Sequence, residues 1–571
     1  MRFYAGGSKP PVLYIFVEES IMLKKAFFVS LLTVISLSVV FAGGSRASTQ
    51  AQSSGPVRLT VAIPENLAIQ DYETNYMTRI LEREANVDLD FVVFSSVDYN
   101  TRLNLMVMAG GAELPDILLG GGGSSMEPMV YQWAREGAII PLTKYYRDPA
   151  LSPWIHDAIN RSGENYLPLI TAPDGEIYGI AGGAQSIHAE FLDRLFYYEP
   201  WLRQLGLKAP ETTEEFRNVL RAVVRGDPNG NGRADEIGFL GDGTDGTFKF
   251  LMNSFVYCSY TGDWDMFNVN NGVLSVAYNK PEWREGLKYI RSLVQEGLIP
   301  VENLTMDYSQ YRALINIPEQ RVFSLGTQGI NDMTDDSRAE GYVGALPLRG
   351  PAGVQYASFK PTGWYINFVV SKNCRNPDAA FKVGDLLHRE DISITSRYGQ
   401  EGVDWDYWKN LEGKPGFSSN DYSPYVAGFP LFIYLYDDRG FWNSGRVSNA
   451  SWRGIGPSTR TYIFESGLAV PKTGASIREM ERVRILDLYY RSNLRPGEVV
   501  SKLVYNENET SFMADLRTSL RNYVEEMTSA FLAGNRDIDG YWNTYLAELN
   551  NIGLARFLST NQTVYNRMYR N

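Results

Sequence analysis

Polar and apolar residues alternate along Val57-Arg58-Leu59-Thr60-Val61-Ala62-Ile63, the period of a strand with one buried face. Tyr76 to Glu84 follows with helical spacing, and Val87 to Val93 alternates again. Tyr99 to Ala109 gathers Leu103, Met106 and Val107 on one helical face. Pro115 to Leu119 is a short apolar strand that runs into Gly120-Gly121-Gly122-Gly123-Ser124-Ser125. Strand and helix in alternation predict α/β layers around a parallel sheet, with ligands at the carboxyl ends of its strands. The glycine run lies at such an end. It lacks the Lys-Ser/Thr of a phosphate loop and the setting of a dinucleotide fingerprint. It reads either as a flexible turn or as ligand-facing backbone at Gly121, Gly122 and Ser124.

The helical signal continues further on. Tyr197 to Leu207 reads as a short helix ended by Gly206. Thr212 with Glu215 three residues on is a capping box that opens a helix to about Arg225. Trp283–Glu296 and Pro377–His388 read as helices, Trp364–Val370 as an apolar strand. From about Ser476 the chain is mainly helical, near Met480–Tyr490, Ser511–Ala533 and Ile538–Asn550. Tyr398 to Pro471 breaks the pattern, with little periodicity and many aromatics. Rings in irregular structure are either core beneath long loops or platforms for sugars, whose apolar faces stack on them. Trp364, Trp405, Trp442 and Trp452, with Arg453, are the candidate ligand contacts. Arg446 and Arg453 would suit an acidic ligand.

Met22-Leu23-Lys24-Lys25, the uncharged run Ala26–Ala42 and the small residues at 42–48 have the layout of a secretory signal peptide. That assigns 22–47 to the signal, with cleavage after Ala42 or Ala47, and 48–56 to a linker. Residues 1–21 fit no part of a signal and are expected to be upstream sequence, with Met22 as the start. Retention of the apolar run as a short membrane anchor is the alternative. No cysteine follows that run, so a lipid on an N-terminal Cys is not expected. The mature protein is expected in the periplasm or outside the cell.

A chain of 571 residues exceeds one ordinary core and implies two or more domains. A net charge of −12 argues against a nucleic-acid partner. His156, His188 and His388 form no zinc-type pattern. Cys258 and Cys374 read as two buried thiols or one disulfide.

One motif carries metal chemistry. Asp227-Pro228-Asn229-Gly230-Asn231-Gly232-Arg233-Ala234-Asp235-Glu236 spaces oxygen donors as a calcium loop does. Asp227, Asn229, Asn231 and Asp235 offer side-chain oxygens, and Arg233 its carbonyl. Position 12 of an EF-hand loop is a bidentate Glu, and here it is Gly238. Glu236 is the nearest replacement. With no second loop, one structural Ca²⁺ site is expected, against the alternative of a metal-free polar turn.

Several segments together carry a family resemblance. They are Glu199–Leu207, Pro210–Phe216, the loop Asp227–Glu236, Gly137–Leu142, Asp174–Ile180 and Tyr398–Trp405. Taken together in their order along the chain, they resemble the extracellular solute-binding proteins of carbohydrate ABC importers, in the branch of the alginate-binding and lipoprotein-like members. The resemblance implies an α/β, periplasmic-binding-protein-like fold of type II, with two lobes, a hinge and a helical C-terminal part. The lobes are expected as 57–180 with about 315–370, and about 181–314 with 371–571. It implies Ca²⁺ held by Asp227, Asn229, Asn231, Arg233, Asp235 and Glu236, the last in place of the missing Glu. It also implies an oligosaccharide ligand, a permease partner, no catalysis and a monomer. Two alternatives stay open: a sensor or adhesion role on the same fold, and a secreted carbohydrate-active enzyme using carboxylates such as Glu401, Asp404 and Asp406.

Overall fold

The computed structural model describes residues 55–571, except 67–68, 121–125, 163–164, 184–190, 192, 242–243, 260–263, 331, 360–362, 416–424, 427–428, 436–449, 453, 460–463, 468–484, 486–497 and 571. The expected signal segment, residues 1–21 and the helix near Met480–Tyr490 lie outside or almost wholly outside the described residues.

Two sheets organise the chain. The first has the order β2-β1-β3-β11-β4, from strands Val57–Pro64 (β1), Val87–Phe94 (β2), Ile117–Leu119 (β3), Ile180–Gly182 (β4) and Tyr365–Val370 (β11). β1 runs parallel to β2 and β3, and β11 runs antiparallel to β3 and β4. The central strands are buried on both faces, which is why β3 and most of β11 read as continuous apolar runs. Helices Tyr76–Ala85 and Pro377–Leu386 add Leu81, Phe381 and Leu386 to the same core.

The second sheet has the order β10-β5-β9-β6, from Arg194–Tyr198 (β5), Ile237–Gly241 (β6), Val322–Thr327 (β9) and Tyr342–Ala345 (β10). A hairpin, Phe267–Asn270 (β7) with Val273–Val276 (β8), stands apart from it. Helix Thr213–Gly226 carries the capping box of Thr212 and Glu215, as its sequence predicts. Its apolar face packs Phe216 and Leu220 beside Phe239 of β6 and Trp283 of helix Pro281–Gln295. Three C-terminal helices, Glu507–Leu532, Ile538–Ile552 and Leu554–Tyr569, bury Phe531, Trp542 and Phe557 in that same core.

The structure distributes two segments differently from the sequence expectation. Within 315–370, β9 and β10 belong to the second sheet, and only β11 reaches the first. Within 371–571, Phe381, Leu387, Ile392, Trp452 and Ile455 sit in the first core. The apolar faces of these elements fit the sheet they cover, and chain order does not record which sheet that is. Tyr197 and Tyr198 end β5, and the helix starts only at Glu199. The region expected to be irregular contains a small sheet, with Trp405–Tyr407 (β12), Tyr425–Val426 (β13) and Phe464–Gly467 (β15) around Phe429–Tyr434 (β14).

The chain leaves the first sheet after β4 and returns to it at β11. On the way, Phe191 and Phe359 pair as an antiparallel bridge with ring centroids 5.5 Å apart. Two passing segments therefore lie side by side between the sheets, the arrangement a two-lobe hinge requires.

Candidate functional site

The acidic loop lies between helix Thr213–Gly226 and β6. Asp227 takes a left-handed conformation at φ +46°, and Gly230 and Gly232 follow at +71° and +73°. Those turns coil the chain so that its side-chain oxygens face inward. Asp227 accepts from the backbone N–H of Asn231 (3.1 Å) and Gly232 (2.9 Å), and Asn231 Oδ1 accepts from Arg233 N–H (2.8 Å). The Nδ2 groups of Asn229 and Asn231 both donate to Asp235 Oδ1 at 3.1 Å. Arg321, just before β9, donates to the Asp235 carbonyl (2.9 Å) and pairs with its carboxylate at 3.4 Å. Burial alone would raise the Asp235 pKa. The two amides and the Arg321 charge outweigh it and hold the carboxyl below its ordinary 3.8.

Glu236 is the informative member of this loop. It is 6% exposed, and both its carboxylate oxygens are buried without a hydrogen-bond partner. A buried carboxylate with neither oxygen satisfied is costly unless a cation faces it. Among the described residues no three His, Cys, Asp or Glu side chains form a metal cluster. The loop instead offers a mixed set of carboxylates, amide oxygens and backbone, which is the donor chemistry of Ca²⁺. The residues present fit a calcium ion on that ground.

The aromatic candidates fare differently. Trp364 is 2% exposed and stacks on Tyr166, with centroids 3.7 Å apart and planes 14° apart. Trp405 has no exposed surface, donates its indole N–H to Gly399 O (2.8 Å) and meets Phe432 edge-on. Trp452 is equally buried, donates to Thr78 Oγ1 (3.0 Å) and meets Phe91 at 84°. In the structure these three indoles, expected as ligand contacts, are core: each is packed against a neighbouring ring, and the N–H groups of Trp405 and Trp452 are bonded within the protein. Gly121, Gly122, Ser124, Trp442 and Arg453 lie outside the described residues. The flanks of that glycine run are tied to β11, through Gly120 N–H to Asn367 O (2.7 Å) and Met126 N–H to Ile366 O (3.1 Å).

Of the three carboxylates considered for acid–base chemistry, Asp404 and Asp406 are engaged by hydrogen bonds within the protein. Asp404 accepts from Gln400 N–H (2.8 Å), and Asp406 accepts from Tyr407 N–H (2.8 Å) and Asn410 Nδ2 (2.7 Å). Burial raises the Glu401 pKa, and the neighbouring charges of Asp406, Asp391 and Glu390 add to it. Cys258 and Cys374 are both free thiols. No helix among the described residues is long and apolar enough to cross a membrane.

Comparison with known proteins agrees with this architecture. Residues 70–390 match the family described as Bacterial extracellular solute-binding protein. The chain is 26% identical to the fructooligosaccharide ABC transporter substrate-binding protein FusA of Streptococcus pneumoniae, over 95% of this chain and 98% of that one. In structure it resembles an extracellular solute-binding protein of Bifidobacterium longum subsp. infantis, with a TM-score of 0.71 at 20% identity over 91% and 100% of the chains. It also resembles a FusA EF-hand mutant in complex with fructo-nystose, with a TM-score of 0.64 at 23% identity over 89% and 99%. The alginate-binding protein AlgQ2 without calcium ion superposes with a TM-score of 0.58 at 21% identity over 90% and 99%. Two sheet-bearing lobes with a helical C-terminal part are thus the shared fold, and the relatives are solute-binding proteins, not enzymes.

Proposed function

This chain belongs to the bacterial extracellular solute-binding protein family, and we propose that it captures an oligosaccharide between its two lobes and delivers it to the permease of an ABC importer. The observation that carries this reading is the nearly full-length likeness to a fructooligosaccharide-binding transport protein. The two sheets joined by paired passing segments support it, because a hinge of that kind lets lobes close over a ligand. The work of transport would fall to a separate ATPase, since the sequence carries no phosphate loop. The place of action is outside the cytoplasmic membrane, reached through the signal segment 22–47.

We also propose a structural Ca²⁺ in the acidic loop, with Asp227, Asn229, Asn231, Asp235, Glu236 and the Arg233 carbonyl as its oxygen donors. The orphaned carboxylate of Glu236 supports it. The ion would supply the positive charge that two adjacent acids need at the start of β6. Titration calorimetry of the mature chain, with calcium present, tests the function against fructo-nystose, trigalacturonate and mannotriose. Saturable binding with the sugar recovered intact is expected. A cleaved sugar, or no binding to any of the three, would refute the transport reading for these classes.

A further inference from the structure

We propose that Tyr365 is the platform on which a sugar ring stacks at the floor of the cleft, an assignment that rests on the oligosaccharide reading above. Among the described residues three tyrosines are exposed: Tyr308, Tyr365 and Tyr569. Tyr308 and Tyr569 lie on helices, with their hydroxyls donating to Asp332 (2.6 Å) and to Lys502 O (2.9 Å). Tyr365 alone of the three stands on a strand, and its place in the sheet is distinctive.

β11 runs antiparallel to β3, with Phe368 opposite Leu119 and Val370 opposite Ile117. The first residue of β11 therefore lies beyond the carboxyl end of β3. In open α/β sheets that edge is where ligands bind. Tyr365 is also the first residue of the first sheet after the chain returns from the second. Its side chain is 41% exposed, whereas Trp364 before it and Ile366 after it are buried. Strand alternation turns Trp364 inward onto Tyr166 and Tyr365 outward.

The local backbone is shaped for this ring. A Cβ on Gly363 would sit 2.3 Å from the Tyr365 hydroxyl and 2.4 Å from two ring carbons. The ring lies down against Gly363 in space that no other residue leaves. Alongside, β11 is irregular against β4 between Ile366 and Phe368, a feature common beside binding sites because it re-aims a side chain. Asn367, at that irregularity, holds Gly456 O through Nδ2 (2.9 Å) and leaves its buried Oδ1 without a donor. An exposed aromatic face at the end of a strand is what the apolar C–H face of a sugar ring stacks on.

The test compares Tyr365→Ala and Tyr365→Phe with the parent by calorimetry against fructo-nystose, trigalacturonate and mannotriose, and follows unfolding without sugar. Loss of the ring is expected to weaken binding at least about tenfold. The Phe variant is expected to stay within about threefold of the parent, because stacking needs the ring and not the hydroxyl. Both variants are expected to unfold at the parent temperature. A parent that binds while Tyr365→Ala binds less than tenfold more weakly would overturn the assignment. So would a Phe variant that loses as much as the Ala variant. A parent that binds none of the sugars would refute the oligosaccharide reading itself, and this assignment with it.

Discussion

Two buried ionisable groups one turn apart should pull stability in opposite directions as pH falls. His388 is fully buried, and its ring nitrogens face the carbonyls of Gly384 (3.2 Å) and Ala181 (2.9 Å). Burial depresses its pKa from 6.5 to about 4, against the pull of those two carbonyls. Asp385 is 2% exposed and accepts from the N–H groups of Ile155 (2.9 Å) and Trp154 (3.4 Å) at the start of helix Pro153–Ser162. Burial lifts its pKa from 3.8 to about 6 despite those bonds. For His388 the unfolded chain binds the proton first, so stability is lost as pH falls from 6.5 towards 4. For Asp385 the folded chain binds it first, so stability is gained as pH falls from 6 towards 3.8. Between pH 7 and 4.5 each effect integrates to about 2 kcal/mol, with opposite signs. In the parent the two nearly cancel. Urea unfolding at pH 7 and 4.5 separates them. His388→Asn should lower stability overall yet remove the acid loss, so its change from pH 7 to 4.5 is about 2 kcal/mol more favourable than the parent's. Asp385→Asn should shift that change by about 2 kcal/mol the other way. Variants whose pH dependence parallels the parent's would refute the argument, whatever their absolute stability.

Two further outcomes follow from the loop and the core. Glu236→Gln removes the orphaned charge and one calcium donor. The variant should be at least as stable as the parent in chelator and should lose most of the calcium-induced rise in melting temperature. An undiminished rise would mean that Glu236 holds no ion. Trp452→Phe should cost about 1–3 kcal/mol by losing the indole N–H bond to Thr78 Oγ1, whose own hydroxyl still donates to Tyr72 O, with sugar affinity unchanged in calorimetry. A loss of affinity without a loss of stability would return Trp452 to the binding face.

Much of the first lobe was legible in the sequence, because its periodicity is strong. The strands at 57–64 and 87–94 and the helices at 76–85 and 99–108 lie within a residue or two of their expected bounds. The capping box at Thr212 was equally plain, since it depends on residues three positions apart. Partners far along the chain were not legible. β9 and β10 are apolar enough for either sheet, and only packing assigns them to the second. The burial of Trp364, Trp405 and Trp452 was not legible for a related reason. A large ring suits a core as well as a sugar, and composition cannot separate the two. At 364–365 the difference is a single residue: the chain offers Trp and Tyr in succession, and the pleat decides which faces out. Glu236 could be named from its spacing as a replacement donor, but neither its burial nor its lack of partners was legible.

The strand order of the first sheet has a consequence for how the chain acquires its structure. β11 lies between β3 and β4, and Asn75 and Thr78 bond to Ser451 and Trp452, 376 and 374 residues further along. The first lobe therefore cannot close until most of the polypeptide has emerged. Contacts so remote in sequence slow folding. For a chain exported through the proposed signal segment, this delay would let the leading part reach the far side still unfolded and able to thread, with the closing strand arriving after it.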